Sequence, residues 1–278
     1  MSDVIAVTGA TGRLGGRVAR LLADAGVPQR LVVRDARRAP DIDGGEVAEA
    51  SYGSTPAARA ALEGVSTLLL VSAAESADRL AQHVGTVDAA AAAGVRHVVY
   101  TSFVGAGPDA PFTLARTHGA TEQHLLASGM ATTMLRDNFY LDVLPLFADD
   151  DGVIRGPAEE GRVAAVAIAD VARVAATVLR DPAAHRGAVH ELTGPQALTL
   201  HEVAAAIGAV RGTASRYRPE TVEEAYASRR PLSDEQWQLD AWVSTYTAIA
   251  SGSLSRVTGT VQAITGAPPL TLEEVLAG

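Results

Sequence analysis

Three glycines at fixed spacing limit this chain more than any other feature. Thr8-Gly9-Ala10-Thr11-Gly12-Arg13-Leu14-Gly15-Gly16 follows directly on the strand-like Val4-Ile5-Ala6-Val7 and opens a stretch of helical composition, Arg13 to Ala25. Strand, glycine turn and helix in that order set the unpaired N–H groups of a helix start behind a turn without obstructing side chains. Gly9 and Gly12 permit a tight turn and let the backbone approach a pyrophosphate, while Gly15 lets helix and strand pack closely. A glycine turn that merely happens to precede a helix is the plain alternative. The order of the elements favours a dinucleotide site built on Gly9, Thr11, Gly12, Arg13, Leu14 and Gly15.

The rest of the first half repeats the unit. Short β-branched or leucine-rich runs at Leu31–Val33, Thr67–Val71, His97–Tyr100 and Thr132–Leu135 alternate with helical stretches at Thr55–Leu62, Ala77–Ala93 and Thr117–Ser128. Several stretches end at Gly26, Gly64, Gly94 or Gly129, where glycine takes the left-handed position after a helix. This pattern predicts an α/β fold, a Rossmann-type doubly wound parallel sheet with crossover helices. Beyond Asp137 the alternation becomes irregular: a helix is expected over Asp170–Arg180 with Asp170 as its N-cap, and a strand at Val189–Leu192. Helical composition and two charge-rich stretches, Glu220–Arg230 and Ser233–Ile249, follow. The expected division is a nucleotide-binding domain over 1–150 and a smaller, mainly helical substrate lobe over 151–278, interleaved with the first around 163–195.

The second strand selects between nicotinamide cofactors. An acidic residue at its end accepts bonds from the ribose diol, whereas an arginine receives a 2′-phosphate. Here the strand ends in Arg34, with Asp35 next and Arg37 and Arg38 close by, so NADP(H) is expected over NAD(H), several guanidinium groups converging on one phosphate. A solvated basic loop is the alternative, and Asp35 could still select the diol. Ligands of doubly wound sheets lie beyond the carboxyl ends of the strands, so Val71-Ser72-Ala73 and Thr101-Ser102-Phe103 should also line the site.

A formal net charge of -9 opposes binding to nucleic-acid phosphate and to anionic lipid. The chain has no cysteine, which removes thiolate chemistry and disulfides, and no ligand cluster suggests a metal. The N-terminus lacks the basic flank of a secretory signal, and no apolar run approaches the roughly 20 residues needed to span a bilayer. A cytoplasmic protein is expected, and a homodimer would be ordinary.

Beyond the glycine run, the segments Leu68-Leu69-Leu70-Val71-Ser72, Ala92-Ala93-Gly94-Val95, Tyr100-Thr101-Ser102, His118 through Glu122 and Leu135-Arg136-Asp137-Asn138-Phe139-Tyr140 occur in order. Together they resemble the NmrA-like family of atypical short-chain dehydrogenases, with the NAD(P)H:quinone oxidoreductase branch the nearest likeness. Ile168-Ala169-Asp170-Val171-Ala172 and Glu191-Leu192-Thr193-Gly194 continue it. Where ordinary short-chain dehydrogenases carry a Tyr-xxx-Lys pair, this chain has His118-Gly119-Ala120-Thr121-Glu122. The i, i+4 spacing puts His118 and Glu122 on one helix face, where they are candidates for catalysis, the carboxylate orienting or charging the imidazole, or form a plain surface pair.

The resemblance implies NADPH-dependent hydride transfer to a quinone or similar electron-poor carbonyl acceptor. Phe103, Asn138, Phe139 and Tyr140 would border substrate, with core packing their alternative. A non-catalytic NADP(H) sensor that regulates a partner protein, or a biosynthetic ketone reductase with Trp237, Trp242 and Tyr246 in a lid, would fit the same segments. In the loop after the third strand, where the family has an acidic residue before an aromatic, this chain reads Ala50-Ser51-Tyr52-Gly53-Ser54.

Overall fold

The structure, a computed structural model, describes residues 4–212 and 214–278; Met1–Asp3, where the N-terminal stretch weighed above begins, and Thr213 lie outside the described residues. In chain order the strands are β1 (Val4–Thr8), β2 (Gln29–Val33), β3 (Gly45–Glu49), β4 (Val65–Leu70), β5 (His97–Phe103), β6 (Ala131–Asp137), β7 (Val153–Gly156), β8 (Arg162–Val163), β9 (Val189–Leu192), β10 (Leu198–Thr199) and β11 (Arg216–Pro219). Seven of them form one sheet in the order β3-β2-β1-β4-β5-β6-β9, with parallel pairing from β3 through β5. The order reverses between β2-β1 and β1-β4, which is the switch point of a doubly wound α/β sheet. Every residue of β4 and β5 is buried, as strands covered on both faces are. At the edge, β3 carries Glu46 and Glu49 and leaves most of its residues in water, a polarity that discourages pairing with another chain.

The crossover helices are α1 (Arg13–Asp24), α2 (Pro56–Leu62), α3 (Arg79–Ala92), α4 (Thr113–Ala127) and α5 (Ile168–Arg180). On α1 the residues Leu14, Gly15, Gly16, Val18, Ala19 and Leu22 are buried, while Arg13, Arg17 and Arg20 face water. The glycines expected after the helices, from Gly26 to Gly129, all have positive φ. Two helix starts differ from expectation. The helix α4 begins at Thr113 rather than Thr117. The helix α5 begins at Ile168, whose N–H donates to Asp142 Oδ2 at 2.8 Å, so a distant carboxylate caps the helix. Asp170 therefore lies inside the first turn, fully buried and 2.5 Å from Arg173, and is not the N-cap.

By packing, the chain forms two compact units. One takes the chain through Phe103, then Thr117–Arg136 and Ala169–His190; the other takes Val104–Arg116, Asp137–Ile168 and Glu191–Gly278. The expected boundary at 150 thus differs from the observed apportioning, because the chain already leaves the first unit at the carboxyl ends of β5 and β6. Apolar residues of the first unit, among them Leu68, Leu70, Val87, Val98, Tyr100, Leu125 and Met134, make one core cluster.

In the second unit β7 pairs with β11 in parallel and β8 with β10 antiparallel. Its helices are α6 (Leu200–Arg211), α7 (Val222–Arg229), α8 (Gln236–Ala250), α9 (Thr260–Thr265) and α10 (Leu272–Ala277). Capping boxes start three of them, Thr199 with Glu202, Thr221 with Glu224 and Thr271 with Glu274. Tyr246 is a core residue here, its ring 5.5 Å from that of Phe147 and 4.8 Å from the Arg229 guanidinium. Among the described residues no helix is long and apolar enough to cross a membrane.

Candidate dinucleotide site

The glycine run folds as its spacing requires. Gly9 has φ +63°, a conformation that side chains disfavour, and its carbonyl accepts the Gly12 N–H at 2.8 Å to close the turn. A Cβ added at Gly15 would stand 2.4 Å from that same carbonyl, so only glycine allows α1 to approach β1 this closely. Gly12 is the N-cap of α1 and no side chain caps that end, which leaves first-turn N–H groups for water or an anion. Beside the turn lies a cavity of about 680 Å³, within the range of small-molecule sites. Of the residues expected to hold cofactor, Gly9, Thr11, Gly12, Arg13, Leu14, Gly15, Arg34, Val71, Ser72 and Ala73 line it. Thr101 and Ser102 do not: both are buried in β5, where Thr101 Oγ1 accepts the Ser72 N–H at 2.8 Å and Ser102 Oγ donates to Glu122 at 2.5 Å.

Arg13 and Arg34 are exposed on the cavity wall, and among the described residues no hydrogen bond or ion pair engages either guanidinium. Arg37 is engaged. Its backbone N–H, Nε and Nη2 all donate to the Asp35 carboxylate, at 3.0, 2.9 and 2.9 Å. These bonds hold the Asp35 carboxyl below its usual range, and with Arg38 outside the cavity lining the expected convergence of guanidinium groups reduces to Arg13 and Arg34. The cradle, the uncapped helix start and two unpartnered cations suit a pyrophosphate and a further phosphate.

Tyr52, which sequence reasoning noted only as a departure from a pattern, lines the cavity as well. Its hydroxyl lies 2.6 Å from Val71 O and 2.9 Å from Thr8 Oγ1, joining the loop after β3 to β1 and β4. Thr8 in turn donates to Leu69 O and accepts the Val71 N–H. Burial pushes the Tyr52 phenol up to about 12, so it stays protonated. A further unforeseen support is α3. Its Gly85 backs onto Ser54 so closely that a Cβ would stand 2.4 Å from the Ser54 nitrogen, and its Thr86 accepts the Gly53 N–H.

His118 and Glu122 share a helix but serve separate networks. The His118 ring is buried; Arg79 Nη2 donates to its Nε2 at 2.8 Å, which leaves Nδ1 protonated and donating to Tyr100 Oη at 2.9 Å. Burial, with Arg79 and His83 nearby, holds His118 well below its usual pKa, so the ring is neutral. Glu122 accepts two bonds from Arg136, at 2.8 and 2.5 Å, besides that from Ser102. Among the described residues no hydrogen bond or ion pair joins His118 to Glu122, so the carboxylate does not orient the imidazole.

Phe103 is buried, its ring 6.2 Å from His118. The other expected substrate residues belong to the second unit. Asn138 is buried with both ends of its amide engaged, Nδ2 to Leu254 O and Oδ1 from the Phe139 N–H, which is a structural use. Phe139 stacks edge-on against Phe112 at 5.0 Å, and Tyr140 donates to Asp137. Both are half-buried.

Comparison with known proteins follows the same lines. The chain is 34% identical over 278 residues to quinone oxidoreductase 2 of Escherichia coli, covering 98% of this chain and 96% of that one. The crystal structure of that enzyme with NADPH superposes with a TM-score of 0.88, at 98% coverage of each chain. An NAD(P)H azoreductase of Xenophilus azovorans is 33% identical over 276 residues, covering 98% and 96% of the two chains. The triphenylmethane reductase of Citrobacter sp., solved with NADP(H), is 30% identical with a TM-score of 0.85 over 98% and 99% of the two. The NmrA-like family model matches residues 1–230, and with these relatives the match shows that this chain is a member of the NmrA-like family.

Proposed function

We propose that this chain is an NADPH-dependent reductase that passes hydride to a quinone or similar electron-poor acceptor. The observation that carries the reading is the glycine cradle beside a cavity of about 680 Å³ with two arginines on its wall that no hydrogen bond or ion pair among the described residues engages. Bound there, NADPH supplies the hydride. Gly9, Gly12 and Gly15 admit its pyrophosphate to the start of α1, and Arg34 at the tip of β2 receives the 2′-phosphate, with Arg13 beside it. The names of the relatives, an azoreductase, a quinone oxidoreductase and a triphenylmethane reductase, support an acceptor that is conjugated and electron-poor.

The state of α4 fits such an acceptor. His118 is neutral with both ring nitrogens engaged, and Glu122 is held by Arg136 and Ser102. Neither is placed to protonate a substrate, so both enter the proposal as supports of the site. A quinone takes hydride without a positioned acid and the resulting hydroquinone anion takes one proton from water, so that orientation supplies most of the rate. Purified protein given NADPH with a benzoquinone, and separately with an azo dye, should oxidise NADPH only when acceptor is present. Tight NADPH binding without turnover of any acceptor would contradict the reductase reading and leave a binding protein.

A further inference from the structure

Residues 71–76 run from β4 to α3 along the cavity without regular secondary structure, so their backbone polar groups have no ladder partners. Three buried side chains supply the bonds instead. Thr101 Oγ1 accepts the Ser72 N–H at 2.8 Å, His83 Nε2 accepts the Ala73 N–H at 2.8 Å, and Arg79 Nε donates to the Ala73 carbonyl at 2.9 Å. The last two hold both polar groups of one residue from successive turns of one helix. The donor directions are forced. A backbone N–H only donates, so His83 Nε2 carries the lone pair and Nδ1 the proton, which faces Thr121 Oγ1 at 2.9 Å. Arg79 only donates, so His118 takes the same tautomer, and Arg79 Nη1 reaches Thr117 Oγ1 at 2.6 Å.

The same helix also braces the loop that brings Tyr52 to the cavity. Gly85 lets α3 meet the backbone at Gly53 and Ser54, and Thr86 anchors the Gly53 N–H next to Tyr52. Arg79, Gln82, His83 and Thr86 follow one another at i, i+3, i+4 and i+7, a polar stripe on a helix that otherwise ends in alanines. Polar groups inside a fold are costly unless paired: Arg79, His83 and Thr86 are paired to the cavity lining or to the helix α4, while half-buried Gln82 donates to Asp78 Oδ1 at 2.9 Å.

We propose that Arg79 and His83 are positioning residues for the dinucleotide: they fix the Ala73 peptide, and with it the 71–76 wall, in the shape that admits the cofactor. The inference rests on the reading of this cavity as the NADPH site, and it extends that reading to residues outside the glycine loop and away from the reacting atoms. His83 acts through an acceptor atom rather than through charge. A side chain that restores an acceptor at that point should therefore restore the wall, whereas an apolar side chain of similar size should not.

The experiment compares His83→Leu with His83→Gln in the full chain, by calorimetric titration with NADPH and by amide hydrogen exchange at Ala73 without ligand. His83→Leu should weaken NADPH binding about tenfold and strip protection from the Ala73 amide, as loss of one bond to a buried N–H implies. His83→Gln should recover most of both. Equal NADPH affinity and equal Ala73 protection in wild type and His83→Leu would overturn the inference, as would Gln and Leu variants that are equally impaired. Wild-type protein that fails to bind NADPH would instead overturn the reading of the cavity, while exchange at Ala73 would still report whether His83 holds that peptide. Arg79→Lys keeps the charge but not the fork, so it should lower NADPH affinity with Ala73 less protected.

Discussion

Arg34 and Asp35 are neighbours at the tip of β2 with opposite roles. Arg34 faces the cavity with no hydrogen bond or ion pair among the described residues, whereas Asp35 is drawn to Arg37 through three bonds. Replacing Arg34 by alanine removes a charge-assisted contact to the 2′-phosphate, so NADPH affinity should fall about 10- to 100-fold while NADH affinity hardly moves. Equal losses for the two cofactors in a binding titration would contradict that assignment. Arg37→Ala releases the Asp35 carboxylate toward a ribose diol, and NADH binding should tighten by a factor of about two to five, the scale of an exposed ion pair. Unchanged relative affinity for the two cofactors would show that Arg37 does not restrain Asp35. The sequence reveals Arg34, since its place follows from where a strand must end. It does not reveal the Asp35–Arg37 pairing, which depends on Asp35 capping the short 3-10 turn at Ala36–Arg38.

At the level of elements, α1 and its turn were legible because backbone geometry dictates them. An alanine at Gly15 would overlap the Gly9 carbonyl, so Gly15→Ala should cost about 1–3 kcal/mol of stability and displace the N–H groups of α1 from any phosphate. A stable variant with normal NADPH affinity would refute the close-packing argument. The helix α4 shows the opposite case. The i, i+4 spacing of His118 and Glu122 was visible, but spacing does not say what lies across the interface, and Arg79, Tyr100 and Arg136 took the two side chains in different directions. Because Glu122 is buried and Arg136 keeps some exposure, Glu122→Ala should destabilise the fold by about 3 kcal/mol in urea denaturation, the low end for a broken buried pair. Lost turnover at unchanged stability would instead place Glu122 in the chemistry. On α3 the polar stripe from Arg79 to Thr86 was readable in principle, as polar residues at the spacing expected of a buried face, and it was masked by the surrounding alanines.

For the whole molecule, buried histidines whose pKa burial lowers, His83 and His118 most strongly and His97 with them, make stability depend on pH. Burial lowers the His83 pKa to about 3 and holds His118 well below its usual value, whereas both titrate near 6.5 when unfolded. Folded values below unfolded ones mean that their contribution is complete above about pH 6.5 and is lost as pH falls below it, at about 1.4 kcal/mol per pH unit for each histidine. Urea midpoints should fall from pH 7 to pH 5, less steeply in His83→Gln; identical slopes would show that His83 is not buried neutral. At this scale the alternation of strands and helices conveyed the sheet, because strands covered on both faces are rich in apolar residues. Interleaving was expected only around 163–195; the crossings at Phe103 and Asp137 were not legible, since they lie within segments that read as ordinary strand ends. The proposed role of the cavity is hydride transfer from NADPH. Its most direct test is the rate of NADPH and of NADH oxidation by purified protein with a benzoquinone, corrected for the uncatalysed reaction, in wild type and Arg34→Ala. Quinone-dependent oxidation should be faster with NADPH, with Arg34→Ala raising the NADPH KM and largely sparing kcat; no quinone-dependent oxidation above background with either cofactor would rule out this role.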